Sequence, residues 1–301
     1  MSKPIFWMMI GLPGSGKSYK AKELSVAYNA NIHSSDSIRE ELSGDINNQD
    51  INELVFKTLH KRVKEDLLNG KSCIYDATNI SYKRRMAFLR ELKNIDCEKS
   101  CVLMATPYEE CLKNNANRER VVPQGVIERM YRTFDVPWYY EGWNNIFVFY
   151  SSATPGSYPD SFYIKYINFN QDNSHHKLTL GQHCVAVYAA LNDMSDNLKT
   201  AGILHDCGKP FCKTFINTKG ETTEQAHYYN HEHTGSYDSL FYAEQGKAQS
   251  LYVAILIRWH MQPYFWEKDN NEKQYNKYRK LWGERLYRDV MALHEADKNA
   301  H

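Results

Sequence analysis

The sequence predicts an α/β domain built on a parallel sheet, followed by an all-α domain, and three observations carry that prediction. Gly11-Leu12-Pro13-Gly14-Ser15-Gly16-Lys17-Ser18 fits the pattern G-x-x-x-x-G-K-[ST], directly behind the apolar run Ile5 to Ile10 and ahead of a helical pattern. Apolar runs then alternate with helical patterns as far as Tyr150, the arrangement that yields a parallel sheet covered on both faces. Beyond about residue 172 strand signals thin out, and histidines and acids recur along helical stretches. The expected boundaries are 1–150 for the first domain, 151–172 for a linker and 173–301 for the second.

A chain of 301 residues has room for about two domains of ordinary size. Seven cysteines without a C-x-x-C pair do not make a disulfide framework, so a reducing compartment is expected. The apolar start at residues 4–10 is too short for a signal-peptide core, and no stretch approaches the ~20 apolar residues of a membrane span. The expectation is a cytoplasmic protein with no membrane partner. A net charge of +1 excludes a broadly cationic polyelectrolyte binder, which leaves any nucleic-acid contact to local patches.

In the first domain the strand before Gly11 delivers a loop whose glycines let backbone N–H groups converge on phosphate oxygens. Gly14, Ser15, Gly16, Lys17 and Ser18 form the expected nucleotide-binding set, with Lys17 at the β/γ-phosphates and the Ser18 hydroxyl on Mg²⁺; ATP and Mg²⁺ are the implied ligands. A helix over 18–29 and a short strand over 30–33 bring Asp36 to the carboxyl end of a strand, where such sheets bind ligands. Arg39 follows one helical turn later, so the pair reads as general base and phosphate clamp, or as a helix N-cap beside a solvated arginine.

A long helix closed by Gly70 and the strand 72–75 place Asp76 at a second strand end, where it could hold Mg²⁺ through water or orient the acceptor hydroxyl. Ser81 opens a helix carrying Lys83, Arg84, Arg85 and Arg90, which is a solvated face or a substrate-phosphate contact. A strand at 100–105 precedes the capping-box pattern Thr106-Pro107-Tyr108-Glu109 and a helix running to about Asn117. Arg118 and Arg120, ahead of Val121-Val122-Pro123, sit like a lid whose guanidinium groups would stabilise charge on the transferring phosphate. A helix over 124–134 and a fifth strand over 146–150 complete the domain.

Taken together, the phosphate loop, Asp36-x-x-Arg39, Asp76-Ala-Thr-Asn79 and Asn117-Arg-Glu-Arg120 before Val-Pro resemble the polynucleotide 5′-kinase family of P-loop phosphotransferases over most of residues 4–150. The resemblance implies that Asp36 takes the proton from a 5′-hydroxyl, that Arg39 holds the acceptor's 3′-phosphate and that the arginines near 118 act from the lid. The lid arginines are spaced differently here: Lys113 stands at one counterpart, and Asn117 and Arg118 compete for another.

The stretch 151–161, with two prolines, a glycine and four serines, reads as a linker or surface loop. In the helical region after it, His205-Asp206 lies in the apolar-flanked string Ile-Leu-His-Asp-Cys-Gly-Lys, and His183 and Asp297 are its expected metal-binding partners. His231 and His260 would complete a second site. Imidazole and carboxylate ligands suit Mn²⁺, Fe²⁺, Co²⁺, Ni²⁺ or Zn²⁺, with an open position for activated water. The strings 204–210, 228–233 and 294–298 resemble HD-domain phosphohydrolases, especially the HD domain attached to bacterial tRNA nucleotidyltransferases, over about residues 174–301. That resemblance implies metal-dependent phosphoester hydrolysis, with Lys209 as a phosphate contact. His175, His176, His227 and His233 read as structural or as supports behind the ligands, and the aromatic and basic residues from Tyr264 to Tyr287 either stack single-stranded bases or form core beside a solvated basic face.

A kinase-like half joined to an HD-like half resembles bifunctional nucleic-acid end-healing enzymes: phosphorylation of 5′-OH ends and removal of 2′,3′-cyclic or 3′-phosphate ends. RNA ends rank ahead of DNA ends as substrate, with an RNA ligase acting downstream. Two rivals are a small-molecule or nucleoside kinase with an HD nucleotidase, and a kinase with a non-catalytic RNA-binding HD module.

Overall fold

The computed structural model describes residues 3–151, 166–174, 177–242, 249–268 and 271–300. Most of the expected linker, and His175 and His176, therefore lie outside the described residues. Contacts divide the chain into two compact units, one holding the described residues through Ile127 and from Pro137 to 151, the other holding Glu128–Val136 and the described residues from 166 onward.

The first unit is a five-stranded parallel sheet in the order β2-β3-β1-β4-β5, with β1 (Ile5–Ile10), β2 (Asn31–Ser34), β3 (Cys73–Asp76), β4 (Glu98–Ala105) and β5 (Asn145–Tyr150). Between them run α1 (Lys17–Tyr28), α2 (Ser35–Ser43), α3 (Asn52–Leu68), α4 (Tyr82–Glu91), α5 (Tyr108–Ala116) and the start of α6 (Gln124–Tyr131), whose residues from Glu128 belong to the second unit. The central strand β1 is apolar on both faces because both are covered: Trp7 and Met9 pack with Ala21, Leu24, Ile74, Val102 and Met104, while Phe6 meets Phe88 edge-on from α4.

Two local readings are corrected by the packing. α2 is capped by the Ser34 hydroxyl, which accepts from the Asp36 and Ser37 amides, so Asp36 is not the cap and its carboxylate is left for other work. The Thr106 hydroxyl donates to the Ser15 carbonyl at 3.1 Å, and Pro107, not Thr106, takes the cap position of α5, with no side-chain cap hydrogen bond there. Within the basic run, Arg85 belongs to neither of the expected classes. It is buried and doubly bonded to Glu141 at 2.6 and 2.7 Å, with the Trp143 indole N–H on the same carboxylate.

The second unit is helical, with α7 (Leu180–Ala190), α8 (Asp196–Leu204), α9 (Lys209–Cys212), α10 (His231–Tyr242), α11 (Ser250–Trp259), α12 (Gln262–Lys268) and α13 (Glu272–Asn299), the last broken at Gly283. The sequence pattern did not show its antiparallel hairpin, β6 (Thr214–Ile216) and β7 (Thr222–His227), whose strands are short and mostly exposed. Residues 128–136 join this unit through side chains: Tyr131 donates to Asp238 at 2.5 Å, Arg132 to the Phe211 carbonyl at 3.1 Å, and Asp135 accepts from Arg258 at 2.8 Å. His233 lies 3.2 Å from the Phe134 carbonyl and 3.4 Å from the Asp135 carboxylate. Trp259, Trp266 and Trp282 are buried and pack together as core, with the half-buried Tyr275 and Tyr278 against them, while Phe265 is exposed. No described helix is long and apolar enough to cross a membrane.

Because Arg85 and Glu141 are both fully buried, removing one partner strands the other's charge. Arg85→Met should lower unfolding free energy by about 3–5 kcal/mol in urea titration, and a loss below about 1 kcal/mol would contradict a dry pair.

Candidate functional site

Every strand of the first unit runs the same way, so the segments after β1, β2, β3 and β4 gather along one edge. The phosphate loop there is braced from three sides. The Gly11 amide donates to the Thr78 carbonyl at 3.0 Å, Thr106 binds the Ser15 carbonyl, and the Asn114 amide group on α5 donates to the Gly14 carbonyl at 3.0 Å. Gly14 and Gly16 have φ of 80° and 88°, and a Cβ on Gly14 would lie 2.2 Å from the Cys111 carbonyl oxygen, so only glycine fits. The bracing role was missed from sequence because Thr106 reads as a helix cap and no motif carries Asn114; both are brought to the loop by the packing of α5 and the residues before it.

Lys17 is folded back over its loop, donating to the Leu12 carbonyl at 2.7 Å, and burial pushes its pKa down to about 8. Asp76, buried at the end of β3, is raised by that burial, while the Lys17 charge and a hydrogen bond with the Ser18 side chain act the other way. Ser15, Lys17, Ser18 and Asp76 are thus one cluster, and the charge of Arg118 acts on both Lys17 and Asp76.

On the acceptor side, Arg39 is 4% exposed and donates to Asp36 at 3.3 Å, the Ser35 carbonyl at 3.4 Å and Asn52 at 2.5 Å. Its Nε is buried without a partner. Arg120 pairs with the same Asp36 oxygen and with Asn47 at 3.2 Å, so of the two expected lid arginines one acts electrostatically on the phosphate-loop lysine and the other holds Asp36. Asn52 and Asn47 were not singled out from sequence; each is polar and ordinary until α2 and α3 pack together.

In the second unit the structure brings all six expected ligands together. His183, His205 and Asp297 form one group and Asp206, His231 and His260 another, each with ligand atoms within 4.8 Å. The two groups share Asp206. Its Oδ2 lies 3.2 Å from His205 Nε2 and 3.5 Å from His183 Nε2, and its Oδ1 lies 3.2 Å from His231 Nε2. Asp297 Oδ1 is 3.0 Å from His183 Nε2 and 3.4 Å from His205 Nε2.

Each histidine is oriented from behind by a backbone carbonyl: Nδ1 meets Ala300 at 3.1 Å for His183, Gly202 at 2.8 Å for His205, Tyr228 at 2.8 Å for His231 and Ile257 at 2.6 Å for His260. A carbonyl accepts only, so Nδ1 carries the hydrogen, and a ring in its neutral form then presents the Nε2 lone pair inward. Nε2 atoms then face each other at 3.1 Å (His183 and His205) and 3.3 Å (His231 and His260). Facing lone pairs among buried carboxylates fit a divalent cation in each group. Lys209 Nζ is 2.6 Å from Asp206 Oδ2 and 2.9 Å from Gln171 Oε1. Gln171, which sequence reasoning passed over in the expected linker, is buried; its backbone carbonyl accepts from the Tyr228 hydroxyl.

Residues 6–137 match the AAA domain family model and residues 180–300 the HD domain family model. L-seryl-tRNA(Sec) kinase of Methanococcus maripaludis is 30% identical over 135 residues, 43% of this chain and 52% of that protein, so the chain spans about half the length of the curated relative it matches. Among solved structures, the Pnkp1/Rnl/Hen1 RNA repair complex is similar over 43% of this chain and 43% of its own chain, at 23% identity and TM-score 0.37. A gluconokinase from Sinorhizobium meliloti 1021 is similar over 51% of this chain and 86% of its own, at 13% identity and TM-score 0.37.

Burial alone would lower His205, but the Asp206 and Asp297 carboxylates outweigh it and hold its pKa well above the ordinary value. Burial, with the neighbouring His231 and His205, pushes His260 down to about 4. A raised histidine stabilises fully below the unfolded value of ~6.5 and loses that contribution as pH rises; a depressed one stabilises above ~6.5 and loses it as pH falls. The chelated second unit should therefore melt highest near pH ~6.5 and lower on both sides. Adding divalent metal should raise the melting temperature and move the maximum upward in pH, since the cation replaces the His205 proton. Superimposable pH profiles with and without chelator would contradict this.

Proposed function

We propose that the chain is a bifunctional nucleic-acid end-healing enzyme, with an ATP-dependent 5′-hydroxyl kinase in residues 1–150 and a metal-dependent HD phosphoesterase in residues 173–301 that removes 2′,3′-cyclic or 3′-phosphate ends. The observation that carries the kinase half is the buried, unpartnered Nε of Arg39 beside Asp36. Such a donor calls for an anion next to the general base, which a 3′-phosphorylated nucleotide supplies and a nucleoside does not. The match to a protein named as a kinase of seryl-tRNA supports an RNA-borne hydroxyl as acceptor.

In this reading the loop amides and Lys17 hold the ATP phosphates, and the paired Ser18 and Asp76 are the groups for Mg²⁺. Asp36 takes the acceptor proton as the acceptor oxygen bonds to the γ-phosphorus and the bond to the β–γ bridging oxygen breaks, leaving ADP. Arg118 offsets charge on the transferring group, and Arg120 holds Asp36 until the acceptor arrives.

In the second unit His183, His205 and Asp297 would hold one cation and Asp206, His231 and His260 another. Bound there, a divalent ion lowers the pKa of water enough to supply hydroxide near neutral pH. Lys209, already beside Asp206, is the cationic contact for a phosphate oxygen. The combined product, a 5′-phosphate and a 3′-hydroxyl, is what an RNA ligase joins, and cytoplasmic RNA ends are the proposed substrate.

Lys17→Ala should abolish 5′-phosphorylation and leave 3′-end removal near wild type, and Asp206→Ala should do the reverse, read from the terminal phosphates of labelled oligonucleotides. Asp36→Asn should lower kinase turnover by ~10²–10⁴-fold with ATP affinity kept. Equal phosphorylation of nucleosides and 3′-phosphorylated nucleotides would overturn the polynucleotide reading.

A further inference from the structure

α12 carries Tyr264, whose hydroxyl donates to Asp297 Oδ2 at 3.1 Å while Asp297 Oδ1 faces His183 and His205. The phenol is half-buried, and its ring meets His294 edge-on at 4.3 Å between centroids. His294 in turn is held by Glu267 at 2.9 Å, and Glu267 also accepts from Lys298 at 3.2 Å. α12 is therefore tied to the last turns of α13 on both sides of Asp297. Its start, Gln262, lies two residues after His260, so the same short helix adjoins a ligand of the other group.

We propose that Tyr264 is the positioning residue of the His183, His205 and Asp297 site: its hydroxyl occupies Asp297 Oδ2, fixes the carboxylate plane and leaves Oδ1 as the single ligand oxygen turned to the histidines. The inference rests on the metal-site reading above. A carboxylate free to rotate presents either oxygen or both, and the rotational freedom lost on binding weakens the site; partners of this kind typically govern metal affinity by ~10–100-fold. The hydroxyl bonds Asp297 and not Asp206, His231 or His260 among the contacts described, so the larger loss is expected at the His183, His205 and Asp297 group.

The test is Mn²⁺ and Co²⁺ titration of the metal-stripped full chain by calorimetry, with the Co²⁺ absorption spectrum as a second readout. Wild type is expected to bind two ions. Tyr264→Phe is expected to weaken one of them by ~10–100-fold, change its Co²⁺ spectrum and leave the other within twofold. In an Asp297→Asn background, Tyr264→Phe should add no further loss, whereas a merely structural tyrosine would lower affinity by the same factor in both backgrounds. Two ions bound with unchanged affinities by Tyr264→Phe, or an equal loss at both, overturns the role of Tyr264 alone. A wild type that binds no ion overturns the metal-site reading and this role with it.

Discussion

Four imidazoles and two carboxylates turned toward one another in a buried interior form the arrangement on which the second unit depends. Burying such groups unpaired is costly, and the chain keeps them facing inward by donating every Nδ1–H to a backbone carbonyl. α7, α10 and α13 carry His183, His231 and Asp297, and the C-terminal ends of α8 and α11 carry His205 and His260, so five helices deliver groups to one point. Asp206 joins the two sets by offering one oxygen to each. The Asp206 and Asp297 carboxylates that hold the His205 pKa well above its ordinary value are the same groups that would favour a cation beside it.

The first unit solves a related problem with opposite sign. A phosphate loop must expose backbone N–H groups to an anion and still be rigid, and it gains rigidity by having its carbonyls tied off: Leu12 by Lys17, Gly14 by Asn114 and Ser15 by Thr106. The close approach of α5 at Gly14 makes those ties possible. Across the same edge, Asp36 is held by Arg39 and Arg120, and Arg39 by Asn52.

Much of this was legible in the sequence. Alternating apolar runs gave the order of the sheet's elements, because parallel strands buried on both faces leave an apolar signature. The six candidate metal ligands stood out because adjacent His and Asp in an apolar string need a partner. What stayed hidden depends on tertiary packing. Arg85 looks like its basic neighbours until Glu141 is brought to it from 56 residues away. Thr106 reads as a helix cap but serves the phosphate loop. Residues 128–136 follow the helical pattern of α6 yet belong to the second unit, since Tyr131, Arg132 and Asp135 find their partners there. The hairpin β6–β7 was invisible for lack of apolar alternation.

The central claim is that the facing histidines and carboxylates are a two-cation centre rather than a polar core satisfied by protons. Crystals of the protein grown with Mn²⁺ and measured on both sides of the manganese absorption edge test it most directly. The account predicts two anomalous peaks, one bounded by His183, His205 and Asp297 and one by Asp206, His231 and His260, with Asp206 touching both. Absence of anomalous signal among these six residues, with the Nε2 contacts between paired histidines unchanged, would contradict it.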